Sequence, residues 1–301
     1  MTTELEKHYA VDALIDEAID LRLSDFNAVI TKGTQALTLA RAQDYPRGMV
    51  RALNAIAWVY NRKGQYAQAA DPAVEALEMA RSYQFPVAEG YALCNIALCY
   101  SIGGQPDKAM EALLQQLQIG ESHSHAELIH MALNDIGSLY LRQGELDDAL
   151  RSLRRSLAVL EDNEVDLPKT IAQVNIASVY FQQGDYAVAE DLVKQVLDVE
   201  DDHGFVEVRS VALTILVDIC VVRGDIEQAK KMCEWGLRLA AKHETNPIQF
   251  LMQLGRIYEL RGDYPAAVAY YGRALTYAET QVVSDSLPHI YGALSDVLEQ
   301  M

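Results

Sequence analysis

Histidines and carboxylates grouped along a chain are the natural first candidates for chemistry, and two such groupings stand out: His123, His125 and His130, and the run EDDHG over Glu200–Gly204. His125 and His130 are five residues apart. Side chains on one helical face recur at three or four, so these histidines do not form a ligand set. Both groupings fall where polar residues between helices are usual, and no metal is expected at either. The four cysteines, Cys94, Cys99, Cys220 and Cys233, make neither a CxxC motif nor a disulfide-dense pattern. Cys220 and Cys233 read as small buried thiols rather than a redox pair. No serine, histidine and aspartate combine into a nucleophile motif, and no glycine-rich loop follows a strand. The sequence therefore offers no catalytic residue and no cofactor site.

What remains is recognition, and charge limits what can be recognised. Acidic residues outnumber basic ones 43 to 25, a formal charge of −18 that repels phosphate backbones and anionic lipid. Nucleic acid and membranes are excluded as partners, while a basic partner is attracted. The opening MTTELEKHYA lacks the basic stretch and apolar run of an export signal. The most apolar segment, Val211–Val222, is too short to span a bilayer and contains Asp218, so it reads as a buried helix. With reduced cysteines, these features fit the cytoplasm.

The elements that would position recognition residues come from a repeat. GQYAQA from Gly64, GQPDKA from Gly104, GELDDA from Gly144, GDYAVA from Gly184 and GDIEQA from Gly224 follow one another at intervals of 40 residues. GDYPAA begins at Gly262, and SDFNAV from Ser24 stands one period before Gly64. Ahead of each turn runs an apolar pattern at helical spacing. Its columns are Ala52, Ala92, Ala132, Ala172 and Ala212; then Ile56, Ile96, Ile136, Ile176, Leu216 and Leu254; then the small residues Ala57, Ala97, Gly137 and Ala177. Tyr60, Tyr100, Tyr140, Tyr180 and Tyr258 follow. After each turn a second helix carries Ala69, Ala109, Ala149, Ala189, Ala229 and Ala267. Two amphipathic helices joined by a glycine turn pair antiparallel, and pairs stack to cover their remaining apolar surface. The expected fold is all-α: a right-handed superhelical solenoid over 1–301, about seven hairpins and a final helix near 287–301.

These residues resemble the tetratricopeptide repeat family, in its long-repeat variety as found in bacterial regulatory proteins. The resemblance covers nearly the whole chain. It departs from the usual unit of about 34 residues and lacks the first-helix tryptophan and closing proline. The extra length, about 9 Å of helix, is assigned to longer helix ends around ARAQDYPRG and ARSYQFPVAEG.

The resemblance implies that the first helices line a concave groove. Its N-terminal part offers Arg51, Asn54, Trp58, Asn61 and Arg62, suited to an extended peptide. Further along stand Asn134, Ser138 and Arg142, and an apolar stripe of Leu98, Ile102, Leu141, Phe181 and Val221, either open to a peptide or helix or buried against adjacent repeats. The lysines of a carboxylate clamp are missing, so a chaperone-tail receptor is not expected. Trp235 stands in an otherwise polar column on the convex side, as a contact for another protein or a second copy of the chain, or covered by its own neighbours. The reading is a non-catalytic protein- or peptide-binding scaffold. The alternative is the sensory module of a larger bacterial signalling protein, since one period after Gly262 ends just past Met301 and the last segment repeats the first-helix pattern. A cryptic hydrolase ranks last, because it would need carboxylates or histidines converging in the groove.

Overall fold

The computed structural model describes residues 4–22, 25–160, 167–198, 205–243, 245–280 and 286–301. The expected turn at Ser24 and the EDDHG run lie outside the described residues. The described residues are all-helical, with fifteen helices and no strand. Contacts divide the chain into two compact units, Met1–Asn163 and Glu164–Met301. The first holds α1 (Glu4–Asp20), α2 (Phe26–Ala42), α3 (Pro46–Arg62), α4 (Tyr66–Ser82), α5 (Pro86–Ile102), α6 (Pro106–Ser122), α7 (Ala126–Gln143) and α8 (Leu146–Val159). The second holds α9 (Leu167–Gln183), α10 (Tyr186–Leu197), α11 (Val206–Val222), α12 (Ile226–Lys242), α13 (Ile248–Leu260), α14 (Tyr264–Thr280) and α15 (Leu287–Leu298).

The 40-residue period of the first unit is two periods of 20. Helices α2 to α6 are each 17 residues long and are joined by links of three. In every link the middle residue is left-handed: Gly64 (φ 70°) and Gly104 (φ 69°) inside hairpins, Asp44 (φ 50°), Gln84 (φ 57°) and Ser124 (φ 52°) between them. The third residue then donates its N–H to a carbonyl five residues back, Tyr45 to Ala40 (2.9 Å), Gln65 to Tyr60 (2.8 Å) and Phe85 to Ala80 (2.8 Å). This is the Schellman closure, which satisfies a carbonyl the helix end would otherwise leave orphaned. Pro46 and Pro86 then start the next helices at a position that needs no N–H donor. ARAQDYPRG and ARSYQFPVAEG each contain a turn of the same kind as the glycine turns, and first and second helices from α2 to α6 are equally long.

Packing follows the columns. Ala52, Ala92, Ala132, Ala57, Ala69, Ala109 and Ala149 have no exposed surface. At Gly137 a Cβ would stand 2.6 Å from Leu153 Cγ and 3.2 Å from the Ala149 carbonyl, so only glycine lets α8 come this close to α7. In the second unit a Cβ on Gly255 would sit 2.3 Å from the Tyr271 ring, which fills the same gap from α14.

Within the first unit the two helix layers are spaced differently. First helices pack directly on one another, α3 on α1 and α5, and α5 on α7. Second helices reach each other through long side chains: Arg41 to Glu75 at 2.5 Å, Arg81 to Gln115 at 2.8 Å, and Arg155 to Glu121. The tighter layer, α1, α3, α5 and α7, is therefore the inner one. Exposed pairs of this kind contribute at most about 1 kcal/mol each, so the stack rests on its apolar columns.

Candidate functional site

The inner layer of the first unit gathers polar side chains from α3, α5 and α7. On α7, Asp135 is half-buried. Its Oδ2 accepts a weak bond from the Cys94 thiol of α5 at 3.6 Å, and its Oδ1 lies 3.3 Å from the Asn134 amide nitrogen. Burial raises the Asp135 pKa; the neighbouring amide and thiol, and the positive charges of Arg142 and Arg62, pull the other way. Burial and the facing carboxylate push the Cys94 thiol well above its ordinary value. Beside them, Leu98, Ser101, Asp135, Ser138 and Arg142 line a cavity of about 50 Å³ between α5, α6 and α7. Arg142 donates to the Ser101 hydroxyl, and Ser138 donates to the Asn134 carbonyl at 3.0 Å. Nearer the start of α5, the Tyr91 hydroxyl donates to Glu127 at 2.6 Å, and burial with that bond raises the phenol's pKa.

The structure sorts the residues expected in a groove into three groups. Leu98, Asn134, Ser138 and Arg142 come together around Asp135, with Ile102 (47% exposed) one turn beyond Leu98. Leu141 is half-buried on the same helix as Arg142.

A second group ties helices to each other. Both terminal nitrogens of Arg51 are engaged by α1, at 2.7 Å from Asp12 and 2.7 Å from Asp16. Asn54 donates to the Ala88 carbonyl at 2.9 Å, leaving its own Oδ1 buried without a partner. Asn61 is buried and donates to the Asn95 carbonyl at 3.1 Å. Trp58 meets Phe26 edge-on at 6.2 Å and packs with Val29 and Val59, while the Arg62 guanidinium lies 5.8 Å over its ring.

The third group belongs to the second unit. Phe181 tilts against Tyr186 at 5.5 Å, Val221 packs beside Val217, Ala229 and Cys233, and half-buried Trp235 packs on Leu213, Leu239 and Phe250.

The histidines have structural work. His130 is buried, with the Ser156 hydroxyl 2.8 Å from its Nδ1; His125 caps α7 by accepting from the Leu128 N–H; His123 Nδ1 lies 3.0 Å from the Ile119 carbonyl. Burial pushes the Cys233 thiol up to about 12. Asp135 is the residue that column reading passed over. Its column, Ala55, Asn95, Asp135, Asn175, Ile215 and Gln253, contains a single charge, and that isolation was the available signal.

Residues 48–242 match the family model of the MalT-like TPR region, and residues 251–282 match that of the tetratricopeptide repeat. The chain belongs to the tetratricopeptide repeat family. Solved structures share the fold of this tetratricopeptide repeat chain at low identity. A tetratricopeptide repeat protein from Parabacteroides merdae aligns with TM-score 0.60 and 18% identity over 96% of this chain and 99% of that one. NprR in complex with its cognate peptide NprX gives 0.64 and 17% over 84% and 71%. A Rap protein complexed with competence and sporulation factor gives 0.62 and 14% over 96% and 98%. A search of curated proteins found no relative that matches.

Proposed function

We propose that this chain is a non-catalytic scaffold that binds a peptide or an extended protein segment on the inner face of α3, α5 and α7. The observation that carries the reading is the concentration there of ligand-facing chemistry on a rigid layer. Arg62, Arg142, Asp135, Ser138 and half-exposed Ile102 converge from three helices whose spacing is fixed by buried alanine columns. Two neighbours of the same fold, NprR and a Rap protein, are described with bound peptide or factor, which supports the ligand class. No helix among the described residues is long and apolar enough to cross a membrane, and the charge of −18 opposes anionic surfaces. The match to the MalT-like TPR region and the likeness to NprR, a quorum sensor, support a regulatory role for the scaffold.

The test is selection of binders from a synthetic random-peptide library against the full chain, followed by titration of variants. Ile102→Asp and Arg62→Ala should weaken selected peptides about tenfold or more, while Tyr83→Asp, at a hairpin junction between α4 and α5, should leave them unchanged. Equal affinity for all three variants removes the inner face from consideration.

A further inference from the structure

We infer that the first unit opens at one seam, between α6 and α7, where the hairpin α7–α8 swings away from α5 and α6 as a minor conformation of the free chain. The inference concerns motion and stands apart from the identity of any ligand.

This seam is built differently from its neighbours. On α6, Leu113, Gln116 and Gly120 lie at helical spacing along one stripe, and both ends of that stripe meet α7. A Cβ on Gly120 would stand 2.9 Å from Ile129 Cγ1 and 3.0 Å from the Ile129 backbone nitrogen. Leu113 lines the cavity of about 50 Å³ that Asp135, Leu139 and Arg142 of α7 line from the other side. Gln116 stands between the two ends. It is fully buried, and neither atom of its amide has a hydrogen-bond partner among the described residues. The corresponding residues of α4 are Ala73, Ala76 and Ala80, which have no exposed surface and no polar side-chain atom to satisfy. On α8 the match to Gln116 is Ser156, also buried, but its hydroxyl is paired with His130.

An unsatisfied buried amide and a cavity both raise the free energy of the closed seam. Opening relieves both, because water then reaches the Gln116 amide. The tight contact at Gly120 makes that end the pivot. There α5 and α7 are tied firmly, Tyr91 hydroxyl to Glu127 at 2.6 Å; farther along, the polar ties are a thiol bond from Cys94 to Asp135 at 3.6 Å and an exposed bond from Arg142 to Ser101. Within the moving hairpin, Gly137 admits Leu153 and His130 holds Ser156, so α7 and α8 travel together. The closed seam is the major form and keeps the register of the inner helices. In the open form Ser138 and Arg142 part from Leu98 and Ser101.

Cys94 reports the opening, since its thiol faces α7, whereas Cys99 on the same helix turns its thiol to Asn61 of α3 at 3.4 Å and serves as the control. The full chain is labelled with N-ethylmaleimide, and the rate at each cysteine is read by peptide mass spectrometry. Where opening is fast relative to labelling, the rate follows the population of the open form. Gln116→Met keeps the length of the side chain and removes its polar atoms. It should slow Cys94 about tenfold, the size of a relieved buried polar group, and leave Cys99 unchanged. Gln116→Leu, made in parallel, should act in the same direction. Gly120→Ala, whose Cβ presses on the Ile129 backbone at the pivot, should speed Cys94 and spare Cys99. These replacements leave Asp135 in place beside the Cys94 thiol, so its thiolate character is held constant. The inference is overturned if the Cys94 rate is the same in the parent and the Gln116 variants, or if Gly120→Ala leaves it unchanged. It is equally overturned if Cys94 and Cys99 slow together, which is the mark of global unfolding and not of a seam.

Discussion

Asp135 in the first unit and Asp218 in the second both stand on first helices, α7 and α11, and burial raises the pKa of both. Their surroundings differ. Asp218 has a countercharge from α13, Arg256 Nη1 at 3.8 Å, and the Gln253 amide at 3.4 Å. Asp135 has a thiol and an amide, and its two arginines are turned to other partners. Both carboxylates therefore feel positive charge, from a guanidinium at ion-pair distance for Asp218 and, among the described residues, from guanidiniums beyond that distance for Asp135.

The comparison breaks most severely if the helix carrying Asp135 is displaced. Gly137→Val, two residues away, should destabilise the chain by about 3 kcal/mol, because the added carbons meet Leu153 and the Ala149 carbonyl. Ala132→Trp, in a column with no exposed surface, should act in the same direction. Thermal melts matching the parent would mean that the α7–α8 contact is looser than described.

A smaller effect of opposite sign sharpens the contrast. Asp135→Asn removes a charge whose burial the neighbouring guanidiniums, amide and thiol offset only in part, and should stabilise the chain by about 1 kcal/mol at neutral pH. Asp218→Asn gives up its attraction to Arg256 and should gain less. Urea midpoints in which Asp218→Asn is the more stabilising would reverse the ranking.

The pH dependence of that gain has a definite sign. A carboxyl whose folded pKa lies above its unfolded value costs nothing when protonated in both states. Its penalty grows as pH rises from the unfolded pKa, about 4, toward the raised folded value. The difference between parent and Asp135→Asn should therefore be full at pH 7 and close as pH approaches about 4. A difference that stays constant would show that Asp135 stays ionised at no cost. Arg62, Arg142 and Cys94 are the neighbouring groups that must be held in view.

The smallest effect concerns an arginine that is paired. Arg51→Ala loses ion pairs with Asp12 and Asp16 whose side chains keep much of their exposure, so the loss should stay below about 1 kcal/mol in a urea melt. A markedly larger loss would make the α1–α3 tie a principal support of the first unit.

The fold was legible because packing repeats. Every first helix must place a small residue against its partner, so Ala52, Ala92 and Ala132 recur and announce the hairpins. The second turn of each period was less visible: Asp44, Gln84 and Ser124 adopt the left-handed backbone without glycine, and their residue types share nothing. The site was half legible. Leu98, Ser138 and Arg142 fell in variable columns and do meet in space. Arg51 and Asn61 looked equally free in sequence, but whether a guanidinium or amide already has an intramolecular partner depends on residues about one repeat away, Asp12 and Asn95. Asp135 escaped because a lone charge in a column resembles ordinary surface variation until burial is known.

The uniform three-residue links have a metrical consequence. Identical links hold α3, α5 and α7 in one register, with neighbouring packed helices about 8–10 Å apart. An extended strand advances about 3.3 Å per residue, so a segment laid across these helices meets a new one about every third residue. The inner layer thus works as a ruler whose gradations are set by helix diameter: changing a side chain alters what one mark reads, and the distance between marks stays the same.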